Sequence, residues 1–281
     1  MLVTRRTFLG ATVASWLGLA GLARGDLIGD LRERNRRRIA GQVARHATPV
    51  DGCGYLDQPA FAVDRVFRGP QVPYEPQAGD LFLEMCPQLT ARASLVLVGA
   101  FRPNHSGIVF RRPDGSMALL EAGSFEVALI VASDLVPVLS AYRDRERVWI
   151  RRRSVPLTDE QACRLTAAAL AQDGKPFALL RQYAQATPLR ARGPLRTFVT
   201  GGPHGTDRRG YFCAELVTEM IVAAGLIDAA DARPAATYPH DLFFDESFNL
   251  FLNRHFKLGR AGWCPPAQWR PQRCDGCGAA P

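Results

Sequence analysis

His105-Ser106-Gly107-Ile108-Val109-Phe110, Pro113-Asp114-Gly115 and Met117-Ala118-Leu119-Leu120-Glu121-Ala122 follow one another with only Arg111, Arg112 and Ser116 between them. Two apolar runs around such a turn spell a β-hairpin. Pro113-Asp114-Gly115 suits a three-residue loop with Gly115 in the left-handed conformation. Arg112 then faces Ser116 and Gly107 faces Glu121. His105 and Glu121 become diagonal neighbours on one face of the sheet, within reach of long side chains. A loop one residue longer or shorter would turn Glu121 to the opposite face, leaving it a polar strand end.

Further elements lie on either side. Gly79-Asp80-Leu81-Phe82-Leu83 reads as a strand after a turn, and Val127–Val131 and Val148–Ile150 as short strands. Thr158 with Gln161 three residues on is a capping box, opening a helix that runs to Gln172 and stops at Gly174. Cys163 would lie in the core of that helix. Residues 178–209 read as a long basic loop. A second helix spans about Cys213 to Ala224, with Leu216, Val217, Met220, Ile221 and Ala224 on one face and Gly225 after it. Strands and helices in this order make an α+β domain over residues 77–260. It is preceded by an Arg-rich helix or linker and loop (26–76) and followed by an irregular Cys/Pro-rich tail (261–281).

The chain has 281 residues, 47% hydrophobic and 22% charged, with 35 Lys+Arg against 27 Asp+Glu. That is globular composition, with length enough to bury a core. All the basic residues but Lys175 and Lys257 are arginine, and they lack aromatic interleaving, so nucleic acid is not the expected partner. No phosphate-binding Gly-rich loop and no dinucleotide fingerprint is present, and no cofactor is expected. Cys274-Asp275-Gly276-Cys277, with Cys264 and His255 upstream, is spaced too irregularly to read as a zinc site, so no metal is assigned. With Cys213 set apart, the other six cysteines are available for pairing in an oxidising compartment.

Such a compartment is what the N-terminus suggests. Thr4-Arg5-Arg6-Thr7-Phe8-Leu9 is a twin-arginine pattern, and an uncharged, largely apolar stretch runs from Phe8 to Ala23. Small residues at Gly21, Ala23 and Gly25 offer cleavage sites. Residues 1–25 read as a Tat-type export signal, placing the protein in the periplasm or cell envelope. Membrane association is expected only if that segment stays uncleaved. The basic run Arg32–Arg38 reads as a solvated helix or linker.

The chemistry centres on Cys213. At the start of a helix, backbone N–H groups and the helix dipole stabilise a thiolate, which attacks carbonyl carbons well. His105 is the candidate base, and Glu121 the group that would hold its imidazole in the working tautomer.

Gly79-Asp80-Leu81-Phe82, His105-Ser106-Gly107-Ile108-Val109, Leu119-Leu120-Glu121-Ala122, Gly174-Lys175-Pro176-Phe177 and Tyr211-Phe212-Cys213-Ala214-Glu215-Leu216-Val217 occur in that order. Over residues 77–246 the chain resembles the circularly permuted papain-fold cysteine hydrolases of the NlpC superfamily. It stands near the YiiX-like group, a distant relation of the lecithin:retinol acyltransferases. The resemblance implies a permuted papain-like fold in which the nucleophile helix packs on an antiparallel sheet. It implies Cys213 as nucleophile, His105 as base, Glu121 at the polar position of the next strand, and Tyr211 near the oxyanion. Ala214 stands where the family often has Ser, and Ala178 where Asp is frequent. The implied activity is amide-bond hydrolysis, with cell-wall peptide as a natural substrate. The alternatives are acyl transfer or ester and thioester hydrolysis on lipids by the same triad, and a non-catalytic binding module. The partner is a peptide or an acyl-containing small substrate.

Overall fold

A computed structural model describes residues 33, 34, 37, 52–57, 71–85, 103–123, 128–142, 147–185, 187, 191–193, 196–198, 202–205 and 208–271. The fold is α+β. Its frame is an eight-stranded antiparallel sheet in the order β2-β1-β8-β7-β3-β4-β5-β6. The strands are β1 (Tyr55–Asp57), β2 (Gln71–Pro73), β3 (Leu81–Glu84), β4 (His105–Arg111), β5 (Met117–Ala122), β6 (Ile130–Asp134), β7 (Val148–Arg151) and β8 (Ala267–Arg270). The helices used below are α1 (Leu135–Tyr142), α2 (Asp159–Gln172), α3 (Leu179–Ala184), α4 (Cys213–Ala223), α5 (Pro239–Phe244) and α6 (Leu250–His255).

The deciding hairpin forms in the expected register. Gly107 faces Glu121 and Phe110 faces Ala118. Gly115 adopts φ 86°, a left-handed conformation that a Cβ would strain. The Arg112 N–H donates to the Ser116 carbonyl at 2.8 Å, and Asp114 Oδ1 accepts from the Ser116 N–H at 2.9 Å. These contacts fix the loop at three residues, which is what points Glu121 to the His105 face.

Strand alternation divides the core. Leu81, Leu83, Ile108, Phe110, Ala118 and Leu120 pack against α2 and α4. Phe82, Val109, Leu119 and Ile150 pack on the other side against Leu135, Val138, Leu139 and Tyr142 of α1. Each such aliphatic or aromatic side chain gains roughly 1.5–3 kcal/mol from burial. With apolar side chains on both faces, the central strands are held as a rigid floor for whatever sits at their ends.

The Thr158–Gln161 capping box forms at the start of α2, both reciprocal bonds present. On α4, Leu216, Val217, Met220 and Ile221 are all fully buried, as is Ala224 at its C-terminal cap, as the helical spacing predicts.

Several expectations are corrected. The strand placed at 127–131 lies at Ile130–Asp134, with Leu129 joining only as a bridge to Pro176. The stretch read as loop at 178–209 contains α3. Cys163 is exposed on α2, because that helix turns its Leu165, Ala168 and Ala169 face inward. The segments set outside the domain belong to the sheet. β1 and β2 extend its edge from within residues 26–76, and β8, within 261–281, sits between β1 and β7. Trp263 and Trp269 explain the last point. Both are buried, and their indoles donate to the Gly79 and Cys53 carbonyls at 2.8 and 2.7 Å. Two indoles bury enough surface to hold a short strand that prolines hide from view.

Cys53, Cys163, Cys213 and Cys264 are free thiols. The other three cysteines, including the Cys274/Cys277 pair, lie outside the described residues, as does the whole 1–25 segment. Of the basic run, the described part shows Arg37 pairing with Glu33 one helical turn away at 2.9 Å, both exposed. Among the described residues no helix is long and apolar enough to cross a membrane.

Candidate active site

His105 opens β4 and Cys213 opens α4, and α4 packs across β4. The helix therefore begins over the end of the strand, where the sheet's floor gives way to polar side chains. His105 Nε2 lies 2.8 Å from Glu121 Oε1. Glu121 is buried and the imidazole nearly so, so the pair is shielded from water and salt. With Nε2 committed to Glu121, Nδ1 is the ring nitrogen left for the thiol.

Gly107 makes the diagonal reach possible. A Cβ there would lie 2.9 Å from Glu121 Cγ, 2.9 Å from the Leu120 carbonyl oxygen and 3.0 Å from Leu119 Cδ1. The Glu121 chain thus runs through the space that any other residue at 107 would fill.

Sequence reasoning gave no role to Tyr142, yet its hydroxyl donates to Glu121 Oε1 at 2.9 Å, the same oxygen that serves His105. Glu121 Oε2 is buried and makes no hydrogen bond among the described residues, so both polar contacts act on one atom. Phe82 walls the pair, its ring 4.9 Å from that of Tyr142 and 6.3 Å, edge-on, from that of His105. The signal for Tyr142 was available. Leu135, Val138, Leu139 and Tyr142 recur at helical spacing, which puts Tyr142 on the buried face of α1.

The electrostatics favour the charged pair. Burial pulls the His105 pKa down, but hydrogen bonds to Cys213 and Glu121 and their charges outweigh it, leaving the imidazole well above its ordinary 6.5. Burial pushes the Cys213 thiol up, but His105 and then Ser106 outweigh it, leaving the thiol below its ordinary 9.0. Each group favours the charged form of the other.

Tyr211 is placed otherwise than expected. It is buried, and its hydroxyl donates to the Gly205 carbonyl at 2.5 Å. Burial, reinforced by the nearby Glu219, pushes its pKa up to about 12. That proton is engaged by the Gly205 carbonyl, so Tyr211 serves as an anchor. The anchoring is extensive. Glu219 accepts from the His204 and Gly205 N–H groups at 2.9 and 3.1 Å. Glu215 accepts from the Phe212 N–H at 3.3 Å and from Arg181 at 2.7 and 3.0 Å, and also pairs with Arg208. Arg192 forms a two-pronged pair with Asp241 at 2.7 and 2.8 Å. Glu215 and Glu219 are charged yet buried, because Arg181, His204, Gly205 and Arg208 cover their carboxylates.

Among the described residues there is no group of three or more His, Cys, Asp or Glu side chains arranged to hold a metal ion. His255 pairs with Asp231 at 3.2 Å.

No family model matches the chain, and no curated protein matches it. Among solved structures it is similar to the metalloprotein YiiX from Escherichia coli O157:H7 (DUF1105). That likeness has 19% sequence identity and a TM-score of 0.37, over 54% of this chain and 67% of that one.

Proposed function

We propose that the protein is an exported cysteine hydrolase of the permuted papain-like kind, cleaving amide bonds. The observation that carries this reading is the buried His105 Nε2–Glu121 Oε1 contact of 2.8 Å, with the Cys213 thiol at the other side of the same imidazole and at a helix start. In the resting site the Cys213 proton passes to His105 Nδ1, giving a thiolate and an imidazolium held by Glu121. The thiolate attacks the carbonyl carbon. Negative charge gathers on the carbonyl oxygen, where free N–H groups of the first turn of α4 can receive it. His105 then gives its proton to the departing amine and a thioester remains. Water, deprotonated by His105, breaks the thioester and restores the thiol. No metal or cofactor takes part in these steps.

A peptide of the cell envelope is the substrate we favour, since the Tat-type pattern at 4–9 would deliver the folded enzyme there. The experiment is labelling with a thiol-directed acylating probe, read at Cys213 by mass spectrometry, beside hydrolysis of muropeptides. Wild type should label and turn over, Cys213→Ala should do neither, and EDTA should change neither. Turnover by Cys213→Ala at the wild-type rate, or activity lost to chelator and restored by zinc, would overturn the reading.

A further inference from the structure

Ser106 is fully buried, yet its Oγ makes no regular hydrogen bond among the described residues. It follows His105 on β4 and so points to the opposite face, the one on which α4 lies. Its neighbours there are apolar: Leu83 faces it across the β3–β4 ladder, and Ile108 is the next residue on the same side. A hydroxyl buried in such surroundings without a partner is costly. The polar atom that both its Oγ and its backbone N–H bear upon is the Cys213 sulfur.

A neutral thiol is a weak acceptor, whereas a thiolate is a strong one. The hydroxyl is therefore compensated in one charge state of the site and left wanting in the other. From this we propose, resting on the cysteine-hydrolase reading above, that Ser106 Oγ donates a hydrogen bond to the Cys213 thiolate and so holds the nucleophile in its reactive form. The Cys213 proton goes to His105 Nδ1; Ser106 keeps its own proton and only directs it at sulfur. His105 and Ser106, consecutive on one strand, thus act on the same sulfur from two sides. One takes its proton and the other shares the resulting charge. When the thiolate becomes a thioester, the bond to Ser106 weakens and the hydroxyl is again underused. Deacylation, which regenerates the thiolate, is then favoured by the same group.

The test is the pH dependence of alkylation by iodoacetamide in the full-length protein, followed at the Cys213 peptide by mass spectrometry so that Cys53, Cys163 and Cys264 do not contribute. In Ser106→Ala the thiolate midpoint should move up by about one pH unit, slowing alkylation about tenfold on the acid limb and hardly at all on the alkaline plateau. Ser106→Thr, which keeps the hydroxyl, should hold the wild-type midpoint. A rate lowered equally at every pH, or an unmoved midpoint, would overturn the role of Ser106. If the wild-type midpoint itself lies at an ordinary thiol value, it is the hydrolase reading that falls.

Discussion

Gly107→Ala should unseat Glu121 from His105 while leaving every proposed reacting group in place. The added Cβ would meet Glu121 Cγ and the Leu120 carbonyl oxygen at 2.9 Å, and Leu119 Cδ1 at 3.0 Å. Carbon atoms pack at about 3.5–4.0 Å, so the shortfall is over half an ångström. The Leu120 oxygen is backbone within the β4–β5 ladder and yields only if the strands part. Leu119 is fully buried and has little room. Glu121 is the member able to move, and its movement opens the 2.8 Å contact to His105 Nε2. Overpacking costs roughly 1–3 kcal/mol, and a lost hydrogen bond to a charged group about 1.5–3 kcal/mol. Stability should therefore fall by a few kcal/mol. The His105 pKa should drop toward its ordinary value, because a hydrogen bond and a negative charge that raise it withdraw. Cys213 alkylation near neutral pH should slow by about ten- to a hundredfold, the rate equivalent of the lost hydrogen bond. Histidine NMR titration reads the first effect and peptide-resolved alkylation the second. A Gly107→Ala protein with unchanged His105 titration and alkylation would show that Glu121 does not hold the imidazole, and the relay argument would fail.

Tyr142→Phe removes the 2.9 Å bond to Glu121 Oε1 and little else in shape; the alkylation midpoint of Cys213 should rise while Tm falls by no more than a few degrees, and an unmoved midpoint would assign Tyr142 to packing alone. Glu219 gives a stability test: burial pushes its carboxyl up to about 7, against the pull of the His204 and Gly205 N–H groups, from an ordinary 4.5. The folded state thus binds this proton more tightly than the unfolded chain, so its contribution is complete below about 4.5, declines as pH rises, and is gone above about 7, a swing on the order of 3 kcal/mol. Glu219→Gln should flatten the fall in Tm between about pH 5 and 8, and parallel curves for variant and wild type would contradict this.

The hairpin at 105–122 was legible because two local rules, loop length and strand alternation, act together and fix one register. The same rules led from His105 to Glu121 without any tertiary knowledge. The Cys213 helix was legible from its periodicity and its stop at Gly225. What escaped depends on contacts distant in sequence. β8 has four residues, Ala-Gln-Trp-Arg, and is a strand because Trp269 reaches the Cys53 carbonyl and Arg270 reaches Asp57 at 2.9 Å. Glu215 and Glu219 carry charge at helical spacing, which in a sequence signals a wet face. That rule fails where Arg181 and Arg208 supply guanidinium partners and His204 and Gly205 supply N–H partners. Tyr211 was misplaced for a related reason: its position two residues before the nucleophile suggests proximity, but its hydroxyl follows the Gly205 carbonyl.

Those partners bear on Cys213, the proposed nucleophile. Glu215 stands third in α4, and its carboxylate closes the helix start by accepting the Phe212 N–H. An anionic carboxylate there opposes a thiolate at the first position, since both draw on the same positive helix end. Burial pushes Glu215 up to about 7, against Arg208 and the Phe212 N–H, and Arg181 grips the same carboxylate with both guanidinium nitrogens. With two guanidiniums on one carboxylate, the ionised cluster carries a net positive charge beside the start of α4. Its repulsion of the thiolate is thereby reversed in sign. Arg181 lies on α3 and Arg208 shortly before α4, and Arg181 also donates to the Gly210 carbonyl just before Tyr211. Arg181 and Arg208 thus brace the backbone on which Cys213 is mounted, and they supply the charge that would let a buried acid and the proposed thiolate share one helix terminus.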